Sequence, residues 1–168
     1  MPETLHLGRM TESSSIPRDL EALFSGEAFR SRARSVLPFL TIDPEGFPRA
    51  ALLTFGEVRT TSRRELAVAV QAGSRTAANL IRRRKAALLY LARHQAVWIQ
   101  ARAGRGRNCD SDPDRQIFPL SVVRVKVDRP LSDEGVVSLA GGPTFSGRGA
   151  RALFSDELFT ELGRPGSA

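Results

Sequence analysis

The sequence predicts a mainly β protein: a small β-barrel with flanking helices. Two observations carry that prediction. Between residues 35 and 128 the chain reads as five to seven short apolar runs, separated by stretches rich in Gly, Pro, Ser and Asp. Only one helical segment, at residues 74–84, interrupts that series, where alternating β-α-β units would need a helix after nearly every strand.

Residues 1–17 are polar, with Ser13, Ser14 and Ser15 together and Pro17 closing the stretch, and read as a flexible N-terminal arm. Residues 18–168 read as one domain with N- and C-terminal helices. Leu20, Leu23 and Phe24 lie at helical spacing, which predicts a short amphipathic helix broken near Gly26. "SVLPFLTID" and "RAALLTFGEV" flank the turn composition "PEGFP", which predicts a hairpin. "RTTSRR" reads as a second turn and "ELAVAVQA" as a third strand, whose alternation of large and small residues suits a buried, curved strand.

Ser74 then caps a helix by offering its hydroxyl to an early N–H. Ala77, Leu80 and Ile81 form the apolar face, and Arg82, Arg83 and Arg84 occupy the last turn, where the helix dipole favours cations. "KAALLYLAR" and "AVWIQARAG" are the fourth and fifth strands. Trp98 points away from the face of Val97 and Ile99, as core, subunit contact or ring contact. "RGRNCDSDPDRQ" reads as a polar loop. In "FPLSVVRVKVDRP" Val123, Val125 and Val127 alternate with Arg124, Lys126 and Asp128, the clearest half-buried strand of the chain. "EGVVSLAGG" is a further short strand. The tail carries a helix with Ser155 at its cap and Leu158, Phe159 and Leu162 on one face.

Composition narrows the chemistry. One cysteine, Cys109, excludes an intramolecular disulfide and a thiolate zinc site, and its acidic neighbours disfavour a thiolate. His6 and His94 are far apart in sequence, so no His-rich metal site is expected, which leaves only Asp and Glu as ligands. The carboxylates of "DSDPD" match no cation-loop spacing. No nucleophile elbow, P-loop or zinc-helix motif is present, so any demanding chemistry belongs to a bound cofactor. No apolar run is long enough to span a bilayer, and the first residues do not read as a secretory signal, so a cytoplasmic protein is expected. The formal charge of +7 attracts polyanions. Nucleic acid is nonetheless not the expected partner, because aromatics make up 7 % of residues and stacking platforms are scarce.

"LTIDPEGFPRAALLTF", "AGSRTAANLIRRRKAALLYL" and the turn into "AVWIQARAG", taken in order, resemble the flavin-binding split barrels related to pyridoxamine 5′-phosphate oxidase over residues 35–128. The resemblance implies an FMN-binding split barrel that is a homodimer with a cofactor site at each side of the interface. It implies a flavoprotein oxidoreductase exchanging electrons with a small-molecule donor or acceptor. It places Arg49 at the phosphate-binding arginine, the backbone of Ala51 and Leu52 beside the isoalloxazine ring, Ser74 and Arg75 in the phosphate-binding turn, and Gln95 before the fifth strand. Thr54, Val70 and Thr76 complete the cofactor set where the family carries lysine, threonine and lysine. The two missing lysines, and the lack of the oxidase's C-terminal tryptophan motif, argue against oxidation of pyridoxamine phosphate. They leave deazaflavin, haem or no cofactor, and a polyanion-binding or dimerisation module, as alternatives. No catalytic side chain is named.

Overall fold

The structure, a computed structural model, describes residues 9–26, 31–32, 34–129, 141–146 and 155–165. Nine strands form one sheet: β1 (Arg9–Ser13), β2 (Val36–Ile42), β3 (Pro48–Thr54), β4 (Val58–Ser62), β5 (Glu65–Gln71), β6 (Lys85–Ala92), β7 (Gln95–Ala103), β8 (Arg107–Asn108) and β9 (Arg115–Arg129). The helices are α1 (Arg18–Phe24), α2 (Arg75–Arg83) and α3 (Asp156–Leu162). The sheet runs β3-β2-β6-β7-β9-β5-β4, with β1 and β8 also paired to β9, and every pairing is antiparallel. It curls around a core built from Leu37, Phe39, Leu66, Val68, Leu88, Val97, Ile99 and Phe118. The mainly β class read from the sequence is the observed one.

The main departures have local causes. Residues 9–13, read as part of a flexible arm, form β1 on the second half of β9, and Ile16 just after it is fully buried. The polar surface of this strand hid it from a search for apolar runs. The run read as one strand from Arg49 to Val58 is broken at Thr54. There the carboxylate of Glu57 accepts from the Thr54 N–H at 2.7 Å and from its hydroxyl at 3.1 Å, which turns the chain through a single 3₁₀ turn at Phe55–Glu57. "RTTSRR" is therefore not all turn: Arg59–Ser62 belong to β4.

Val123 does not share a face with Val125 and Val127. Gln100 pairs with Arg124 and Ala101 with Val122, so Val123 is the extra residue of a bulge and is 51 % exposed, while Val125 and Val127 are buried. α1 ends before Gly26, as expected, and Phe24 stacks on Phe55 at 5.2 Å between ring centroids, with Tyr90 edge-on to both. Residues 134–140 of the strand expected in "EGVVSLAGG" lie outside the described residues.

Candidate functional site

The segment between β5 and β6 turns at Gly73, whose φ of +69° favours glycine. Ser74 follows in extended conformation and accepts the Ala77 N–H on its hydroxyl at 3.2 Å, so α2 begins with a capped first turn. Thr76, Ala77, Asn79 and Leu80 are buried, and Arg75 is exposed. The helix ends on Arg84, which is left-handed at φ 54° and donates from Nε to the Ala103 carbonyl at 3.0 Å. Arg83 donates to the Pro44 carbonyl in the β2–β3 turn. Two of the three consecutive arginines thus have structural work, while Arg82 is exposed.

Arg75, Asn79 and Arg83 are spaced four apart and share one stripe of α2. That stripe lies along the β2–β3 hairpin, since Asn79 Nδ2 donates to Thr41 Oγ1 at 3.0 Å and Arg83 reaches Pro44. Thr41 is the register partner of Arg49. Arg49 and Arg75 therefore flank the same buried Asn79–Thr41 contact, one on β3 and the other a turn before Asn79. Both are exposed, and neither guanidinium has an ion-pair or hydrogen-bond partner among the described residues. Two free planar cations and a capped helix start are donor types suited to a phosphate group.

The other residues of the expected cofactor set are distributed differently. Ala51 is half-buried opposite Phe39, and Leu52 is 59 % exposed on the outward face of β3, an edge strand. Thr54 is buried and its hydroxyl is engaged by Glu57, so it supports the 3₁₀ turn. Thr76 keeps only 7 % of its surface, and Val70 at 3 % belongs to the core. Gln95 starts β7, six residues before Ala101, which is aligned with Arg49 through Ala86 and Thr41. At about 3.3 Å per residue that separation is roughly 20 Å. Its amide oxygen accepts from Arg129 at 3.4 Å. Within the chain Gln95 stands apart from the two arginines.

Sequence reasoning missed Thr41 and Asn79, whose only signal is an uncharged polar residue one turn after Arg75, between Arg75 and Arg83 on the same stripe of the helix. It also missed the outward face of the sheet. There Leu40, Ile42, Pro48, Ala87 and Val123 line a pocket of about 410 Å³, rimmed by the cross-strand pair Lys85–Arg102. Trp98 lies half-buried on the same face, opposite Leu89 and Lys126.

A second polar assembly holds α3. The Glu161 carboxylate, 2 % exposed, accepts from Arg107 at 2.6 Å, the Asp110 N–H at 2.8 Å, the Ser111 N–H at 3.0 Å and the Ser111 hydroxyl at 2.8 Å. The Cys109 thiol donates to it at 3.1 Å. Burial acts to raise the Glu161 pKa, but the Asp110 and Ser111 N–H groups, Arg107 and the Ser111 hydroxyl together hold it far below its ordinary value. Cys109, read from the sequence as a loop residue, is thereby fixed as a buried thiol beside a carboxylate. No cluster of three or more metal-ligating side chains exists among the described residues.

No family profile and no curated protein matches the sequence. Solved structures do. A candidate pyridoxamine 5′-phosphate oxidase from Lactobacillus delbrueckii aligns with 67 % of this chain and 94 % of its own, at 18 % identity and a TM-score of 0.51. The chain has the pyridoxamine 5′-phosphate oxidase-like split-barrel fold. The HupZ protein of Group A Streptococcus aligns with 78 % of this split barrel and 99 % of its own chain, at 11 % identity and a TM-score of 0.51. An FMN-binding protein from Syntrophomonas wolfei covers 64 % of it and 86 % of its own chain, at 12 % identity and a TM-score of 0.49.

Proposed function

We propose that this split barrel binds FMN, with the phosphate held by Arg49, Arg75 and the start of α2, and acts as a flavin-dependent oxidoreductase. The observation that supports this most is the pair of uncommitted guanidiniums on either side of the Asn79–Thr41 contact. A phosphate monoester is about dianionic at pH 7, and two planar cations with a capped helix start meet that charge. Leu52 and the exposed backbone of β3 then offer a surface for the ring. A bound flavin supplies hydride or electron transfer, and the chain positions it and excludes water. Thr54 and Val70 contribute to the fold around the ligand, with their side chains turned into the protein.

The protein works as a homodimer in this reading. The outward face carries Leu52, Val123 and the pocket beside Pro48, an exposed apolar surface of the kind that marks a subunit contact. Gln95 joins a cofactor site in this reading only when a second subunit supplies it. Among the described residues no helix is long and apolar enough to cross a membrane; a cytoplasmic location is part of the proposal.

A second reading keeps the cradle and exchanges the ligand for a deazaflavin. The cradle lacks the two family lysines, and a phosphodiester's single charge needs fewer cations than a dianion, although two guanidiniums attract the dianion more strongly. Purified protein decides between the two. An absorbance maximum at about 450 nm supports FMN, and one at about 420 nm supports the deazaflavin. Colourless protein that takes up neither on addition refutes both.

A further inference from the structure

We infer that Asn79 and Thr41, which resemblance to the family did not single out, are positioning residues that set the axial register of α2 against the β2–β3 hairpin. They thereby fix the distance between Arg49 and Arg75. The inference rests on the phosphate reading of those two arginines.

The two elements meet mainly through apolar packing, which opposes separation but resists sliding only weakly. Leu80 and Ala77 from α2 share the core with Phe39 and Leu37 of β2. A hydrogen bond is directional, and a buried one loses the full desolvation cost of its partners when it breaks. Asn79 and Thr41 are both buried, and their 3.0 Å bond ties the middle of α2 to one residue of β2. The Arg83 contact at the turn is solvent-exposed and holds less firmly.

The scale of the effect follows from helix geometry. Arg84 alone links α2 to β6, so the freedom lies at the N-terminal part of the helix, where a displacement by one residue's rise moves Arg75 by about 1.5 Å along the helix axis. Ligand constellations tolerate only about 0.5 Å before losing affinity. A register error far too small to unfold the domain is therefore large enough to spoil two-sided phosphate binding. A plain structural role for the pair would cost stability while leaving the relation between the two arginines intact.

The test compares FMN with riboflavin, which carries the same ring without the phosphate, by fluorescence titration of Thr41→Val, Asn79→Ser and Thr41→Ser. The native protein should prefer FMN. Thr41→Val and Asn79→Ser should each weaken FMN by about tenfold, the worth of one buried hydrogen bond, and leave riboflavin unchanged. Thr41→Ser, which keeps the hydroxyl, should restore FMN affinity. Asn79→Ser serves if Thr41→Val does not yield folded protein. Equal weakening of both ligands, or a lower melting temperature with an unchanged FMN preference, overturns the positioning role. Native protein that binds both flavins equally overturns the phosphate reading itself, and native protein that binds neither removes the flavin proposal.

Discussion

Replacing Glu161 with Gln should be among the most damaging conservative changes in the domain. The carboxylate accepts five hydrogen bonds on its two oxygens, from Arg107 and Asp110 on one and from Ser111 twice and Cys109 on the other. A glutamine amide must place an NH₂ where one of those oxygens stood. On one side the NH₂ then faces two obligate donors, Arg107 and the Asp110 N–H; on the other it faces the Ser111 N–H, while the Ser111 hydroxyl and Cys109 thiol can turn to accept. Arg107 also loses its only carboxylate partner among the described residues and remains partly buried. Removing one partner of a buried pair costs about 3–5 kcal/mol. The lower end is appropriate here, about 3 kcal/mol, because Arg107 retains some contact with water and a bond to the Glu161 main-chain carbonyl. For a domain of this size the urea slope is about 2 kcal/mol per molar, so the unfolding midpoint should fall by about 1.5 M at pH 7. The pH dependence has a definite sign. Because the folded-state pKa is depressed, the contribution is fully present above the ordinary carboxylate value of 4.5 and is lost as pH falls below it. The gap between native and Glu161→Gln stability should be flat from neutral pH down to that value and then close. A midpoint shift below about 0.5 M, or a gap that widens in acid, refutes the account.

Further outcomes follow from the same contacts. Arg49→Ala and Arg75→Ala should each weaken FMN binding by about tenfold in fluorescence titration, while Arg82→Ala changes nothing. Leu52→Asp should shift the elution volume toward that of a monomer, because it puts a charge on the exposed apolar face of the sheet. Gly26→Ala should lower stability by about 1–3 kcal/mol in thermal unfolding, since Gly26 is at φ +125° and a Cβ there would stand 2.7 Å from Phe159. Cys109 should resist a thiol reagent in the folded protein and react fully in denaturant, because it is buried and donates to a carboxylate.

The β-rich class was legible because most strands here bury one face, and alternation survives in a single sequence. Ser74 as a cap was legible for a similar reason, since capping depends on residues three apart. What escaped depends on partners distant in the chain. β1 is recognisable only once β9 is in place, because four of its five side chains are polar and Met10 is exposed. Val123 reads as buried until the bulge against Gln100 and Ala101 shifts its face. Thr54 and Thr76 looked like open ligand positions, yet Glu57 and the packing of α2 use them up. Asn79 acquires meaning only when Thr41, brought close by the fold, becomes its acceptor.

The position of β9 dictates an order of assembly. Along one side it pairs with β5 and β1, and along the other with β7 and β8. None of these strands can complete its hydrogen bonding until residues 115–129 have left the ribosome, and β1 must wait from residue 9 until residue 129 is present. Until then β5 and β7 each offer an unpaired edge to other chains. Pairings this distant also close large loops before they are rewarded, which places the domain among slow folders. The strand that completes the barrel is also the one whose late arrival leaves the nascent chain most open to misassembly.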